Sequence, residues 1–95
     1  MATVPITPTA QRNLVRLIET HTLPSTTIDR FRRSLEPLRS FPLLGAPLEG
    51  RWVGFRFVLG PWRWMIVVYR YDAPTDEVQV VTVKDARSAR AATSG

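Results

Sequence analysis

Between Arg51 and Asp85 the chain reads RWVGFRFVLG PWRWMIVVYR YDAPTDEVQV VTVKD, three segments in which apolar and polar positions alternate, separated by two turn sequences. A period of two with β-branched and aromatic residues dominant is the pattern of extended strands, because successive side chains of a strand point to opposite faces. In Trp52 to Leu59, Val53, Phe55, Phe57 and Leu59 share one side, and Gly54, Arg56 and Val58 share the other. In Trp62 to Tyr71, Trp64, Ile66 and Val68 alternate with Arg63, Met65, Val67, Tyr69 and Tyr71. In Glu77 to Lys84, Val78, Val80 and Thr82 alternate with Gln79, Val81 and Val83. Gly60-Pro61 and Ala73-Pro74-Thr75-Asp76 supply the turns, so the stretch predicts an antiparallel three-stranded meander. A sheet with an apolar face needs a cover, and the cover must come from the residues that precede it.

Two amphipathic segments answer that need. Thr7 followed by Pro8 is a helix start, with a hydroxyl to cap the first turn and a proline where no N–H is required. The helix runs from Pro8 to about His21, with Leu14, Leu17 and Ile18 on one face, and Thr22-Leu23-Pro24 ends it. A second helix, capped by Ser25 or Thr26, places Ile28, Phe31, Leu35 and Leu38 in one stripe. Pro37 disfavours helical geometry at Glu36, so this helix is expected to end or kink there. Ahead of both, Thr3 to Thr7 is β-branched and broken by Pro5, which suits a short edge strand or an extended lead-in. Phe41 to Gly50 is a proline- and glycine-rich connector, and Ala86 to Gly95 has no apolar stripe and is expected to be a frayed tail or one helical turn. The expected fold is a single α+β domain over residues 1–95, with an N-terminal strand and two helices packed on an antiparallel sheet of three further strands.

Charge narrows the partners. The chain of 95 residues carries a net charge of +5, and its thirteen basic residues are twelve arginines and Lys84. Arginine grips phosphate or carboxylate with a planar fork and stacks on aromatic rings, so a nucleic acid or an acidic protein is the expected partner. No cysteine is present, which removes disulfides and thiolate chemistry and suits a cytoplasmic setting. No apolar run approaches the roughly 20 residues that span a bilayer, so no membrane association is expected. No phosphate-binding glycine loop, nucleophile elbow or metal-ligand spacing occurs, so neither a cofactor nor a metal is expected. The one histidine, His21, falls at the end of the first helix and is expected to face solvent or the helix dipole, in a region that offers a general base no partners.

RNA cleavage needs none of the missing motifs. A 2′-hydroxyl can attack the neighbouring phosphate if cations stabilise the developing charge and some group handles protons. Arg56, Arg63 and Arg87 are the candidate catalytic cations, with Arg51, Arg70, Tyr69, Tyr71 and Lys84 as candidate substrate contacts. Tyr69 and Tyr71 share a face with Arg63 and are candidates to stack on a base, although large aromatics more often fill small cores.

The order of elements and several residue groups are similar to toxins of the RelE/ParE superfamily, the toxic halves of type II toxin–antitoxin pairs. The likeness runs over nearly the whole chain. It is carried by Leu35-x-x-Leu38, by Phe41-Pro42-x-x-Gly45 with Leu48 and Gly50, and by Phe55-Arg56-Phe57. It continues in Ile66-Val67-Val68-Tyr69-Arg70 and in Val78-x-Val80-x-x-Val83 running into Asp85-Ala86-Arg87. The resemblance implies the strand–helix–helix–three-strand fold, a cytoplasmic location and growth inhibition relieved by a cognate antitoxin wrapped on the basic surface. It also implies one of two mechanisms: metal-independent mRNA cleavage on the ribosome, or inhibition of DNA gyrase. Arg56, Arg63 and Arg87 fall near the basic set of the nuclease branch. The tyrosine that branch often carries after the last arginine is absent, and lysine is scarce. A non-catalytic basic module that binds RNA or an acidic peptide is the alternative reading of the same surface.

Overall fold

The computed structural model describes residues 1–87, and the tail expected over 86–95 therefore lies almost wholly outside the described residues. Helix α1 spans Pro8–His21, α2 spans Thr27–Ser34 and α3 spans Pro37–Ser40. Strands follow at β1 (Ala46–Pro47), β2 (Arg56–Leu59), β3 (Met65–Asp72) and β4 (Glu77–Asp85), in the order β1-β2-β3-β4, all antiparallel. The α+β architecture with helices over an antiparallel sheet is as expected, with one strand more, because the connector contributes the short β1.

Local chemistry explains the helix boundaries. Thr7 caps α1, its Oγ1 accepting from the Ala10 N–H at 3.2 Å, with Pro8 in the first turn. The helix closes at Thr22, which takes a left-handed conformation (φ 51°) while the Thr22 and Leu23 N–H groups donate to Glu19 O and Ile18 O. Pro37 divides the second helical stretch as expected: α2 stops at Ser34, and α3 starts afresh on Pro37. Of the anticipated stripe, Phe31, Leu35 and Leu38 are buried, but Ile28 is 43% exposed. Thr27 takes the inward place one residue earlier, its hydroxyl satisfied by Pro24 O at 2.6 Å.

The N-terminal strand is reduced to two parallel bridges against the free edge of β4, Thr3 to Glu77 and Ile6 to Val80. Beyond them Asn13 of α1 continues the edge, its Oδ1 accepting from Val83 N at 3.3 Å and Thr82 Oγ1 at 2.7 Å. The first expected strand is shorter than its alternation suggested. Gly50–Trp52 forms a 3-10 turn, and Gly50 (φ 66°) and Gly54 (φ 94°) hold backbone angles that only glycine adopts freely. Val53 is accordingly 70% exposed rather than paired.

The core lies between the helices and one sheet face, where Met65, Val67, Tyr69, Val78, Val80 and Val83 meet Ala10, Leu14, Phe31, Leu35 and Leu38. The inward set of β4 does not follow simple alternation. Val68 pairs with Thr82 while its neighbour Tyr69 pairs with Val80, so Val81 is an extra residue, a β-bulge. Before the bulge Val78 and Val80 face the helices; after it Val83 and Asp85 do.

Two substitutions test this packing. At Gly45 an added Cβ would meet Phe57 O at 2.6 Å and Tyr69 Cε1 at 2.8 Å. Gly45→Ala should therefore destabilise the fold by about 1–3 kcal/mol in urea unfolding. Thr22→Gly should stabilise it by about 1 kcal/mol, because a β-branched residue is costly in the left-handed region.

Candidate functional site

The residues nominated from sequence separate into three places. Arg56 pairs with Tyr69, on the core side of β2, and its guanidinium is engaged internally. It donates through Nη1 to Gly45 O at 2.8 Å and Leu43 O at 3.3 Å, fastening the connector to the sheet. Tyr69 is fully buried, and its hydroxyl accepts the Gly45 N–H at 2.9 Å. Burial pushes its phenol pKa upward against that hydrogen bond and the nearby Arg56 charge. Tyr69 is thus core, and the expectation that it contacts a substrate is corrected. Tyr71, half-buried on the same side, donates its hydroxyl to Asp76 Oδ1 at 2.7 Å, which raises its pKa. The expected grouping of both tyrosines with Arg63 fails because Arg63 lies in the β2–β3 turn rather than on a strand.

A second group faces away from the helices. Arg70 is exposed and donates through Nε to Gln79 Oε1 at 3.2 Å. Lys84 holds its ammonium 4.7 Å from the Trp52 ring centroid, and Trp52 meets Phe55 edge-on at 5.3 Å. Arg51, in the same 3-10 turn as Trp52, is exposed.

The third place is the end of the sheet where the β2–β3 turn, the last residue of β4 and the end of α1 come together. Asp85, its side chain 6% exposed, accepts on Oδ1 from Arg87 N at 2.9 Å and Arg87 Nε at 3.1 Å. On Oδ2 it meets Arg87 Nη2 at 3.1 Å and His21 Nε2 at 3.0 Å. The Arg87 hydrogen bonds hold the carboxyl down to about 2, against the opposing effect of burial. Trp64, within the β2–β3 turn, packs against these groups. Its ring is 4.6 Å from the His21 ring and 4.9 Å from the Arg87 Cζ, and its carbonyl accepts from Ala86 N at 2.7 Å. Trp62 is 6.5 Å from Trp64 and has the Arg30 Cζ of α2 5.8 Å away. Exposed Arg63 stands between the two tryptophans in sequence.

Of the three candidate catalytic arginines, Arg63 and Arg87 belong to this end of the sheet. Arg56 sits three residues up β2 and is tied to the connector. His21, Asp85, Trp62, Trp64 and Arg30 were not in the expected set. The expectation that His21 lacks partners is corrected: α1 ends directly beside Asp85. Alternation alone put Asp85 on the face opposite Val78 and Val80, and only the bulge at Val81 turns it inward.

No protein-family model and no curated protein matches the chain. Solved structures do. The toxin–antitoxin complex RelBE2 of Mycobacterium tuberculosis contains a chain with 26% identity and a TM-score of 0.64, over 88% of this chain and 96% of that one. The intact E. coli RelBE toxin–antitoxin complex gives 16% identity and a TM-score of 0.65, over 90% and 98%. The isolated E. coli RelE toxin gives 17% and 0.64, over 99% and 98%.

Acid titration should expose the Asp85 cluster. A carboxyl whose folded pKa is depressed from 3.8 to about 2 contributes stability that is present above pH 4 and lost as pH falls through that window. Thermal melts between pH 6 and pH 2 should show this loss, and Asp85→Asn should be less stable at neutral pH with a flatter acid limb. The likeness spans each toxin chain almost end to end, and this protein has the RelE-superfamily toxin fold.

Proposed function

We propose that this chain is the toxin of a type II toxin–antitoxin pair, that it acts by cleaving mRNA on the ribosome, and that a cognate antitoxin silences it. The observation that carries the toxin reading is the end-to-end likeness to chains solved in toxin–antitoxin complexes, including one 26% identical. The net charge of +5 supports both a nucleic-acid substrate and an acidic segment in the antitoxin. RNA is favoured over DNA gyrase as the target by the sheet end, where the aromatic pair Trp62 and Trp64 lies among cations and Arg63 and Arg87 offer forks for phosphate, a combination suited to single-stranded nucleic acid. Arg51, Arg70 and Lys84 extend the positive field along the strand. Arg56 serves the site by holding the connector in place.

Induced expression without a partner should arrest growth, and co-expression of the neighbouring open reading frame should relieve the arrest. Primer extension on ribosome-associated mRNA should then show cuts at fixed codon positions. Intact mRNA together with gyrase-linked DNA breaks would select gyrase. Unimpeded growth with folded protein present would select the non-catalytic binding module. Arg63→Ala should lower cleavage by about 10- to 100-fold, the loss of roughly one charged hydrogen bond of 1.5–3 kcal/mol, without changing thermal stability.

A further inference from the structure

His21 is placed as a proton-transfer group would be. Its Nε2 is committed to Asp85 Oδ2 at 3.0 Å, an oxygen that belongs to an anion and therefore takes the N–H. In the neutral ring the lone pair then sits on Nδ1. Among the described residues nothing bonds Nδ1, and the His21 side chain is 28% exposed. The ring plane is fixed from another side by Trp64 at 4.6 Å.

The companion cation is equally well placed. Arg87 spends its Nε and one Nη2 hydrogen on Asp85, and its side chain is 60% exposed, which leaves guanidinium N–H groups free to bind a phosphate. Because Arg87 Nη2 and His21 Nε2 lie within hydrogen-bond distance of the same Asp85 oxygen, the imidazole and the guanidinium are immediate neighbours. Asp85 also stabilises whatever positive charge the imidazole acquires, from a position its low pKa keeps ionised.

We propose that His21 is the general base of RNA strand scission at this end of the sheet, with Asp85 as its positioning residue; this rests on the RNA-cleaving function proposed above. Nδ1 removes the proton of the ribose 2′-hydroxyl as the 2′-oxygen forms a bond to the adjacent phosphorus. The bond from phosphorus to the 5′-oxygen breaks, and that oxygen takes a proton from water. The hydroxide so formed is neutralised by the imidazolium, which returns His21 to its starting state. The products are a 2′,3′-cyclic phosphate and a 5′-hydroxyl end. No metal, oxidant or further reactant enters. Arg87 bears the negative charge that builds on the phosphoryl oxygens, and Trp64 or Trp62 stacks on the base beside the cut.

The test uses purified full-length protein and mRNA-programmed ribosomes, with cleavage rates measured from pH 5 to pH 9. His21→Gln keeps a side-chain N–H for Asp85 but cannot accept the proton. It should cleave about 100-fold or more slowly and lose the acid limb of the pH profile, while melting as the unsubstituted protein does. Asp85→Asn should shift that limb rather than remove it. As the chain has a single histidine, diethylpyrocarbonate treatment of the unsubstituted toxin before mixing should abolish cleavage, and hydroxylamine should restore it. This arm holds even if a variant fails to fold. Cleavage by His21→Gln within threefold of the original, with the same acid limb, overturns the proposal, as does cleavage that survives imidazole modification. If the unsubstituted protein cuts no ribosome-bound mRNA, the RNA-cleaving function itself fails, and the inert control distinguishes that outcome from a wrong base.

Discussion

Strand β4 contains one residue more than its partner β3 allows for, and the consequences run through the rest of the molecule. The extra residue, Val81, resets the alternation, so that Val78, Val80, Val83 and Asp85 all face the helices. An uninterrupted strand would have turned Thr82 and Lys84 inward and sent Asp85 to the far side. A buried lysine in that place would have met the apolar ends of the core with no partner, a costly arrangement. With the bulge, Val83 completes the core, Lys84 extends over Trp52 on the opposite face, and Asp85, the only buried carboxylate among the described residues, arrives where α1 delivers a histidine. Bulges are frequent where a strand must re-aim a side chain, and here the re-aimed group anchors the one cluster of charges at the sheet end.

That geometry also explains which parts of the structure could be read from sequence. The caps and breaks of α1 and α2 are local chemistry: Thr7-Pro8 and Pro37 act on their own residues and their neighbours, and the structure follows them closely. The β3 segment reads correctly because it is a run of apolar, β-branched and aromatic residues bounded by turn sequences, with Met65, Val67 and Tyr69 sharing the inward face as expected. Trp52 to Leu59 misleads because its alternation is partly accidental; Gly50 and Gly54 take left-handed angles that pattern matching does not weigh. The site was poorly legible for a different reason. Asp85 is brought to His21 by a register shift between two strands and by the length of α1, and neither quantity is written in a local pattern. The one signal available was the single histidine at a helix end.

Arg56 carries a structural duty that its residue type does not announce. Arg56 has the composition of a phosphate-binding residue, yet the carbonyls of Leu43 and Gly45 take its Nη1. Gly45 is held twice, its N–H by Tyr69 and its carbonyl by Arg56, so connector, β2 and β3 are locked by one phenol and one guanidinium. The lock has a structural reason. Gly45 approaches Phe57 O and Tyr69 too closely for any Cβ, and a backbone brought so near the sheet must have its polar groups satisfied. The exposed connector residues Phe41, Leu43 and Leu44 are carried on this fixed point.

At the sheet end, the two side chains that meet Asp85 are not equivalent. Arg87 contributes three of the four contacts to the carboxylate, its backbone N–H among them. His21 contributes one, from Nε2, which carries its hydrogen whether the ring is neutral or protonated. The carboxylate therefore stays ionised and in place when the imidazole loses or gains a proton at Nδ1, because no contact of the cluster depends on that atom. Were Arg87 absent, the histidine charge would be the main partner of a nearly buried anion, and deprotonating the ring would weaken the site's own scaffold. With Arg87 present, structural and proton-carrying duties fall on different residues, so the ring can cycle without the end of the sheet having to rearrange.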